Sequence, residues 1–261
     1  MTTIAKFDPA ELEAKVKSMY RSVAQEPHGR FHFEMGRALA ERLGYPESDL
    51  DRIPAEAIES FAGVGHYFHF AALQPGETAV DLGSGSGMDS FIAALHVGPE
   101  GKVFGIDMTD EQRAKAECLR VRDGFTNVKY LKGYIEDVPL PDGTADVVIS
   151  NGVINLAVDK PRVFAQAARL LRAGGRLALS DIVTEVRLPE KITCDSSLWA
   201  ACIGGAAQRD DYLSQVEASG LRVARCEENT RYAFISDNAK GASRKFGVKS
   251  ISLLAVKPGA D

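Results

Sequence analysis

The chain has 261 residues, 45% of them apolar and 26% charged, with a formal net charge of −5, the balance of an ordinary globular protein rather than a disordered or fibrous one. That charge offers no overall basic field to nucleic acid or an anionic membrane, and no stretch approaches the roughly 20 apolar residues of a membrane span. The opening segment MTTIAKFDPAELEAKVK lacks an apolar signal core, and Cys118, Cys194, Cys202 and Cys226 show no paired spacing, so a cytoplasmic protein with free thiols is expected.

Residues 1–75 read as an N-terminal helical cap. ELEAKVKSMYRSVA places Leu12, Val16, Met19, Tyr20 and Val23 near helical spacing. An aromatic and histidine-rich stretch follows, HGRFHFEMGRALAERLGY, then a proline-marked turn and IPAEAIESFAGVGHYFHFAAL. From residue 76 the rhythm changes to strand then helix. TAVDL, KVFGI, NVKYL, ADVVIS and RLALSD are short Val/Ile/Leu-rich runs, suited to a sheet covered on both faces. SFIAALHV, between the first two, reads as a helix. TDEQRAKAECLRVRDG pairs Thr109 with Gln112 as a capping box and closes on Gly124. DKPRVFAQAARLLRAGG has Pro161 near its start and Gly174-Gly175 at its end, the asymmetry of a helix. This alternation predicts a doubly wound, parallel α/β sheet. Residues 182–207, with the single tryptophan Trp199, form a connection long enough to be a lid. A helix, DDYLSQVEASG, and the runs LRVARCE and KSISLLAV finish the chain, the two runs being expected as an antiparallel hairpin on the sheet edge.

The chemistry concentrates at AVDLGSGSGMDS. Gly83, Gly85 and Gly87 are spaced G-x-G-x-G, one step short of the dinucleotide pattern G-x-G-x-x-G. Asp81, at the end of the first strand, repels a pyrophosphate but suits a ligand with an ammonium group. Asp107 ends the second strand, where a carboxylate accepts both hydroxyls of a ribose. An adenosine with an amino-acid tail satisfies both acids, and S-adenosylmethionine is such a molecule. A nicotinamide-dependent oxidoreductase is disfavoured by Asp81 and the glycine spacing. A non-catalytic S-adenosylmethionine-binding protein stays open.

VDLGSGSGMD, GIDMT, GYIEDVPLPDGTADVVISNGVINL and LLRAGGRLALSDI together resemble the class I methyltransferases, and among these the arsenite methyltransferase group. The resemblance runs over roughly residues 75–220, with several motifs in order. It implies a Rossmann-like doubly wound seven-stranded sheet with an N-terminal helical cap, and methyl transfer from S-adenosylmethionine to a small molecule. Gly83, Ser84, Gly85 and Gly87 would wrap the methionine part, with Asp81 near its ammonium. Asp107 and Met108 would hold the ribose, Ile135 and Glu136 would flank the adenine, and Asn151 would close the site.

The arsenite group binds its substrate through three cysteines, soft ligands for a soft centre. In this chain the first falls in FAGVGHYF, which has none, and the second at Gly152; only Cys202 has a counterpart, with Cys194 nearby as a possible second thiol. The expectation is therefore a polar organic acceptor, with arsenite as the alternative. Gly152 opens space beside the methyl group. His66, Tyr67 and His69 are the candidates for a general base or for acceptor hydrogen bonds. Asn155, Trp199 and Cys202 complete the acceptor side. For each the plainer reading is packing: core aromatics and histidines under the cap, a lid anchor for Trp199, a turn cap for Asn155. No metal site is assigned, since His28 and His32 upstream lack carboxylate or thiol partners.

Overall fold

A computed structural model describes residues 8–193, 199 and 203–259. Its sheet has the order β3-β2-β1-β4-β5-β8-β7, where β1 is Thr78–Leu82, β2 Lys102–Asp107, β3 Val128–Lys132, β4 Ala145–Asn151, β5 Leu171–Thr184, β7 Arg222–Glu228 and β8 Lys249–Val256. A two-residue β6 (Ala207–Gln208) pairs with β5 off this path. The first five strands are parallel. The central ones bury nearly every residue: Ala79, Val80 and Leu82 on β1 and Val147, Val148 and Ile149 on β4 are fully covered. This is why these segments read as unbroken apolar runs and not as alternating ones. Helices α6 (Met88–Val97), α7 (Asp110–Arg122) and α8 (Lys160–Leu170) make the crossovers. The chain leaves β1 toward β2 and β3, then returns to β4 on the other side of β1. Such a reversal opens a crevice at the carboxyl ends of the two strands.

The two terminal runs do add antiparallel to the sheet, β8 on β5 and β7 on β8. They are not a tight hairpin, because a helix, α11 (Asp237–Phe246), lies between them; Ser236 caps it, accepting from the Ala239 N–H. Strand β5 also continues through Thr184, into the stretch expected as lid. Short helix α9 (Glu190–Thr193) follows, and α10 (Arg209–Ala218) covers the far face with Tyr212 and Val216.

Among the described residues five helices precede β1: α1 (Pro9–Gln25), α2 (Arg37–Leu43), α3 (Glu47–Leu50), α4 (Ala55–Glu59) and α5 (Phe68–Ala71). Asp8 caps α1 by accepting from the Ala10 N–H, and Pro9 sits in its first turn. Its apolar stripe, read from the spacing, faces the strand ends: Leu12 and Val16 pack with Leu156 and Trp199. Burying such a side chain is worth about 1.5–3 kcal/mol. Polar contacts dock the same helix on α7, with Arg21 on Glu111 at 2.6 Å and the Gln112 amide donating to the Tyr20 carbonyl at 2.9 Å. Gln112 therefore does not form the capping box: Thr109 makes no side-chain cap bond, and the Gln112 carbonyl oxygen takes the Ser86 hydroxyl at 2.5 Å. Tertiary partners outcompete the local pairing. Among the described residues no helix is long and apolar enough to cross a membrane.

Candidate active site

The turn after β1 needs its glycines for backbone conformation and for closeness. Gly83, Gly85 and Gly87 have φ of +76°, +53° and +95°, a region that L side chains enter at a cost. A Cβ at Gly83 would also stand 2.5 Å from Val153, whereas one at Gly85 would meet only Gln112 at 3.7 Å. Gly85 therefore marks the open side of the turn. The N–H groups of Gly83 and Ser84 donate to the Ile106 carbonyl at 2.8 and 3.0 Å, tying the turn to β2. Asp107 accepts from the Gly85 and Thr109 N–H groups at 2.9 and 2.8 Å. Burial still holds its carboxyl above the usual range. Asp81 accepts the Ser90 hydroxyl at 2.6 Å. Burial, then the neighbouring Asp89 carboxylate, push Asp81 up to about 8.

Two cavities flank this turn. One is lined by Asp107, Met108, Ile135 and Glu136 under α1. The other is lined by Asp81, the glycine turn, Asn151 and the 60–63 segment of the cap. Gly83, Gly85, Tyr20 and Val153 line both, so the two form one cleft. Every residue expected to hold the cofactor lies on it. An apolar chamber lined by Met108 and Ile135 suits a purine, and the Asp107 carboxylate on the same lining suits a ribose. Ser84 lines the same cavity as Asp81, and its hydroxyl is buried with no hydrogen-bond partner among the described residues, a polar group left for a ligand's amino-acid tail to satisfy. The residues present fit S-adenosylmethionine.

The acceptor-side expectations fare differently. None of His66, Tyr67 and His69 lines either cavity. Tyr67 is fully buried and donates to Asp89 at 2.8 Å. His66 stacks on His69, with centroids 5.7 Å apart, and meets the Tyr45 ring edge-on at 4.7 Å. Burial, then His69, press its imidazole down to about 4. The two histidines thus share one face within residues 1–75, off both cavities. Asn155 also lies off both cavities. Its amide donates to Asp181 at 2.6 Å and to the Gly152 carbonyl at 3.1 Å, and Asp181 also takes the Tyr212 hydroxyl at 2.8 Å. This network sits beneath the cleft floor. Trp199 lines neither cavity: its indole N–H donates to the Thr193 carbonyl at 2.7 Å, and the Lys160 ammonium lies 4.9 Å from its ring. Gly152 faces the cap, since a Cβ there would stand 3.2 Å from Val64 at a φ of +70°. Cys194 and Cys202 lie outside the described residues. Cys118 is exposed on α7 and Cys226 half-buried on β7. Among the described residues no group of three His, Cys, Asp or Glu side chains is placed to hold a metal ion.

Three residues escaped the sequence reading. Asp89, just past the glycine turn, takes the hydroxyls of Tyr45 and Tyr67, both at 2.8 Å, and the Asn151 amide at 3.0 Å. Asn151 in turn accepts from the Val64 N–H at 2.8 Å, which fixes the cap loop on β4. Nothing local in the sequence links Tyr45 to Asp89. Tyr20 was visible in the amphipathic run, but its position on the cleft was not.

Strand order, glycine turn and strand-end acids define a class I S-adenosylmethionine-dependent methyltransferase acting on a small molecule. The chain belongs to the methyltransferase-domain family, whose model it matches over residues 73–220. The arsenite methyltransferase of Halobacterium salinarum is 36% identical over 279 residues, covering 100% of this chain and 70% of that protein. That of Aquipseudomonas alcaligenes is 41% identical over 175 residues, covering 64% of this chain and 50% of the relative. The crystal structure of an arsenic(III) S-adenosylmethionine methyltransferase from Chlamydomonas reinhardtii is 28% identical, superposes with a TM-score of 0.67, and covers 87% of this chain and 75% of its own.

Proposed function

We propose that this methyltransferase acts on a small organic acceptor, in a cytoplasmic setting and without a nucleic-acid partner, and that arsenite is not its preferred substrate. The observation that carries this reading is the wall where residues 61–64 meet 151–153. A Cβ at position 152 would touch Val64, so the two stretches where the arsenite group carries its first two cysteines are neighbours in space. Here they present Phe61, Ala62, Gly63, Val64, Gly152 and Val153, without a thiol. Arsenic(III) needs soft ligands, and this wall offers none.

S-adenosylmethionine supplies a methyl group already activated on a sulfonium. The chain's own work is to hold, orient and keep dry. Asp107 fixes the ribose, Asp81 and Ser84 the amino-acid tail, and Met108 and Ile135 the purine. Residues 1–75 act as a cap, with α1 closing one side, and the connection that follows β5, within residues 182–207, acts as a lid anchored by Trp199. Asp89 is fully engaged by Tyr45, Tyr67 and Asn151, and the cap histidines stand off the cleft. The acceptor therefore brings its own lone pair, as a thiolate, an amine or a phenolate does, and needs no proton removed by Asp89 or the cap histidines.

A second reading is favoured by the relatives' names: arsenite held by Cys202 and Cys194 from the lid. A methyl-transfer screen across thiols, amines, imidazoles, phenols and arsenite separates the two. The organic reading expects turnover of an organic acceptor that survives Cys202→Ser. Arsenite turnover at least equal to the best organic acceptor, and abolished in Cys202→Ser, would reverse the order.

A further inference from the structure

We infer that the Tyr20 ring faces the sulfonium of the bound methyl donor and lets the protein distinguish that cation from its uncharged thioether product. The inference rests on the cofactor placement above. In S-adenosylmethionine the sulfur is bonded to the ribose 5′ carbon on one side and to the amino-acid tail on the other. With the adenosine in the cavity at Asp107 and the tail in the cavity at Asp81, the sulfur falls where the cavities join. Four residues line both: Tyr20, Gly83, Gly85 and Val153. Two have no side chain and one is an aliphatic valine. Tyr20 alone among them carries a polarised group, and an aromatic ring attracts a desolvated cation.

The molecule holds that ring in place from behind. The Tyr20 carbonyl is fixed by the Gln112 amide at 2.9 Å, and Gln112 is tied to the glycine turn through Ser86. The Tyr20 ring lies against Phe33, with centroids 6.4 Å apart and planes 19° from parallel. Phe33 in turn stacks on Phe31 at 5.6 Å. The aromatic stretch HGRFHF, which no part of the proposed chemistry uses, thus forms a backing for this one side chain. Asp81 and Asp107 each line only one of the two cavities, so neither acid occupies the junction. In the transfer the acceptor's lone pair forms the new bond to carbon and the carbon–sulfur pair stays on sulfur. The attraction of Tyr20 for the positive charge ends at that moment, which favours exchange of spent product for fresh donor.

The test needs no acceptor. Titration calorimetry of S-adenosylmethionine and S-adenosylhomocysteine is run on the wild-type chain and on Tyr20→Leu, Tyr20→Gln and Tyr20→Phe. Two non-aromatic variants keep the test available if one of them fails to fold. Loss of the ring is expected to weaken the sulfonium ligand by roughly 2- to 30-fold and to leave the thioether within about twofold, while Tyr20→Phe keeps the wild-type ratio of affinities. Equal losses for both ligands in the non-aromatic variants would overturn the inference, and so would a Tyr20→Phe ratio as low as that of Tyr20→Leu. A wild-type chain that binds neither ligand would remove the cofactor placement itself, and this inference with it.

Discussion

The two walls of the cleft are built on different scales of chain separation. On the turn side, Asp81 and Ser90 are nine residues apart, and Gly85 bonds Asp107 across 22. On the cap side, Tyr45 reaches Asp89 across 44 residues, Asn151 reaches Asp89 across 62, and Val64 reaches Asn151 across 87. The turn side is a local backbone conformation with two acids at strand ends. The cap side is a hub of buried hydrogen bonds that joins distant segments. Mutations in the first should therefore cost ligand affinity, and mutations in the second should cost stability.

The sharpest way to break that contrast is Asp89→Ala. It strands the Tyr67 hydroxyl in a buried space, leaves the Tyr45 hydroxyl only the Gly65 carbonyl at 3.4 Å, and takes one acceptor from the Asn151 amide, which keeps Gly65, each unpaired group costing about 1–3 kcal/mol. A total loss of roughly 3–5 kcal/mol in urea unfolding is expected. An unchanged urea midpoint would mean that the hub does not bear on stability.

The cap side also carries a pH signature of its own. The His66 imidazole, pressed from 6.5 down to about 4, packs among His69, His96, Asp49 and Arg231. The unfolded chain takes up this proton below pH 6.5, and the folded chain resists until about 4. Stability from this group is thus complete above 6.5 and declines as the pH falls toward 4, by roughly 3 kcal/mol at most. Urea midpoints measured across that window should slope in the wild type and flatten in His66→Gln. Parallel slopes would show that His66 is not the titrating group.

The same difference in scale decides what could be read from the sequence. The turn, its glycines and both strand-end acids were legible because a strand, a tight turn and a helix start are contiguous and each residue's role follows from local geometry. Gly85 can be recognised from spacing alone, and so can Asp107 at the end of KVFGID. The strands of the parallel sheet were legible for a related reason: full burial on both faces leaves an unbroken apolar run. The place of HYFH, off both cavities, was not legible because the orientation of a side chain is a tertiary property. Once Tyr67 donates to Asp89, the neighbouring histidines are carried onto the cap. The partner of Asn155 was hidden in the same way, Asp181 being 26 residues on. Helix α11 was hidden between two strand runs, since DNAKGASRKF buries only Ala239 and Ala242 and so carries little apolar signal.

On the turn side, Asp107→Ala removes the carboxylate proposed to meet the ribose. A charge-assisted hydrogen bond is worth roughly 1.5–3 kcal/mol, so S-adenosylhomocysteine affinity should fall by roughly 10- to 150-fold while the urea midpoint moves much less than in Asp89→Ala. A folded variant with wild-type affinity in calorimetry would sink the ribose assignment. A loss of stability matching that of Asp89→Ala would erase the distinction between the two walls.

The smallest effect discriminates best, because it reads proton movement at one residue. The Asp81 carboxyl stands at about 8 through burial and then the nearby Asp89 and Asp107 carboxylates, partly offset by the Ser90 hydroxyl. Its folded value lies above the ordinary 3.8, so the free folded chain holds a proton there that the unfolded chain has lost. The contribution of this group to stability is therefore largest at low pH and is given up as the pH rises from about 3.8 to about 8. A ligand ammonium beside Asp81 reverses the balance, since it favours the ionised acid. Binding near neutral pH then releases a proton. Affinity for S-adenosylhomocysteine should rise about tenfold, or about 1.4 kcal/mol, per pH unit until it levels off near 8. Calorimetry in two buffers of different ionisation enthalpy counts the released proton. Asp81→Asn, which keeps the shape and the Ser90 contact, should abolish both that release and the slope assigned to Asp81. Whatever slope survives in Asp81→Asn belongs to the ligand's own ammonium. If the wild type and Asp81→Asn gave the same slope and the same proton count, Asp81 would not be the partner of the amino-acid tail.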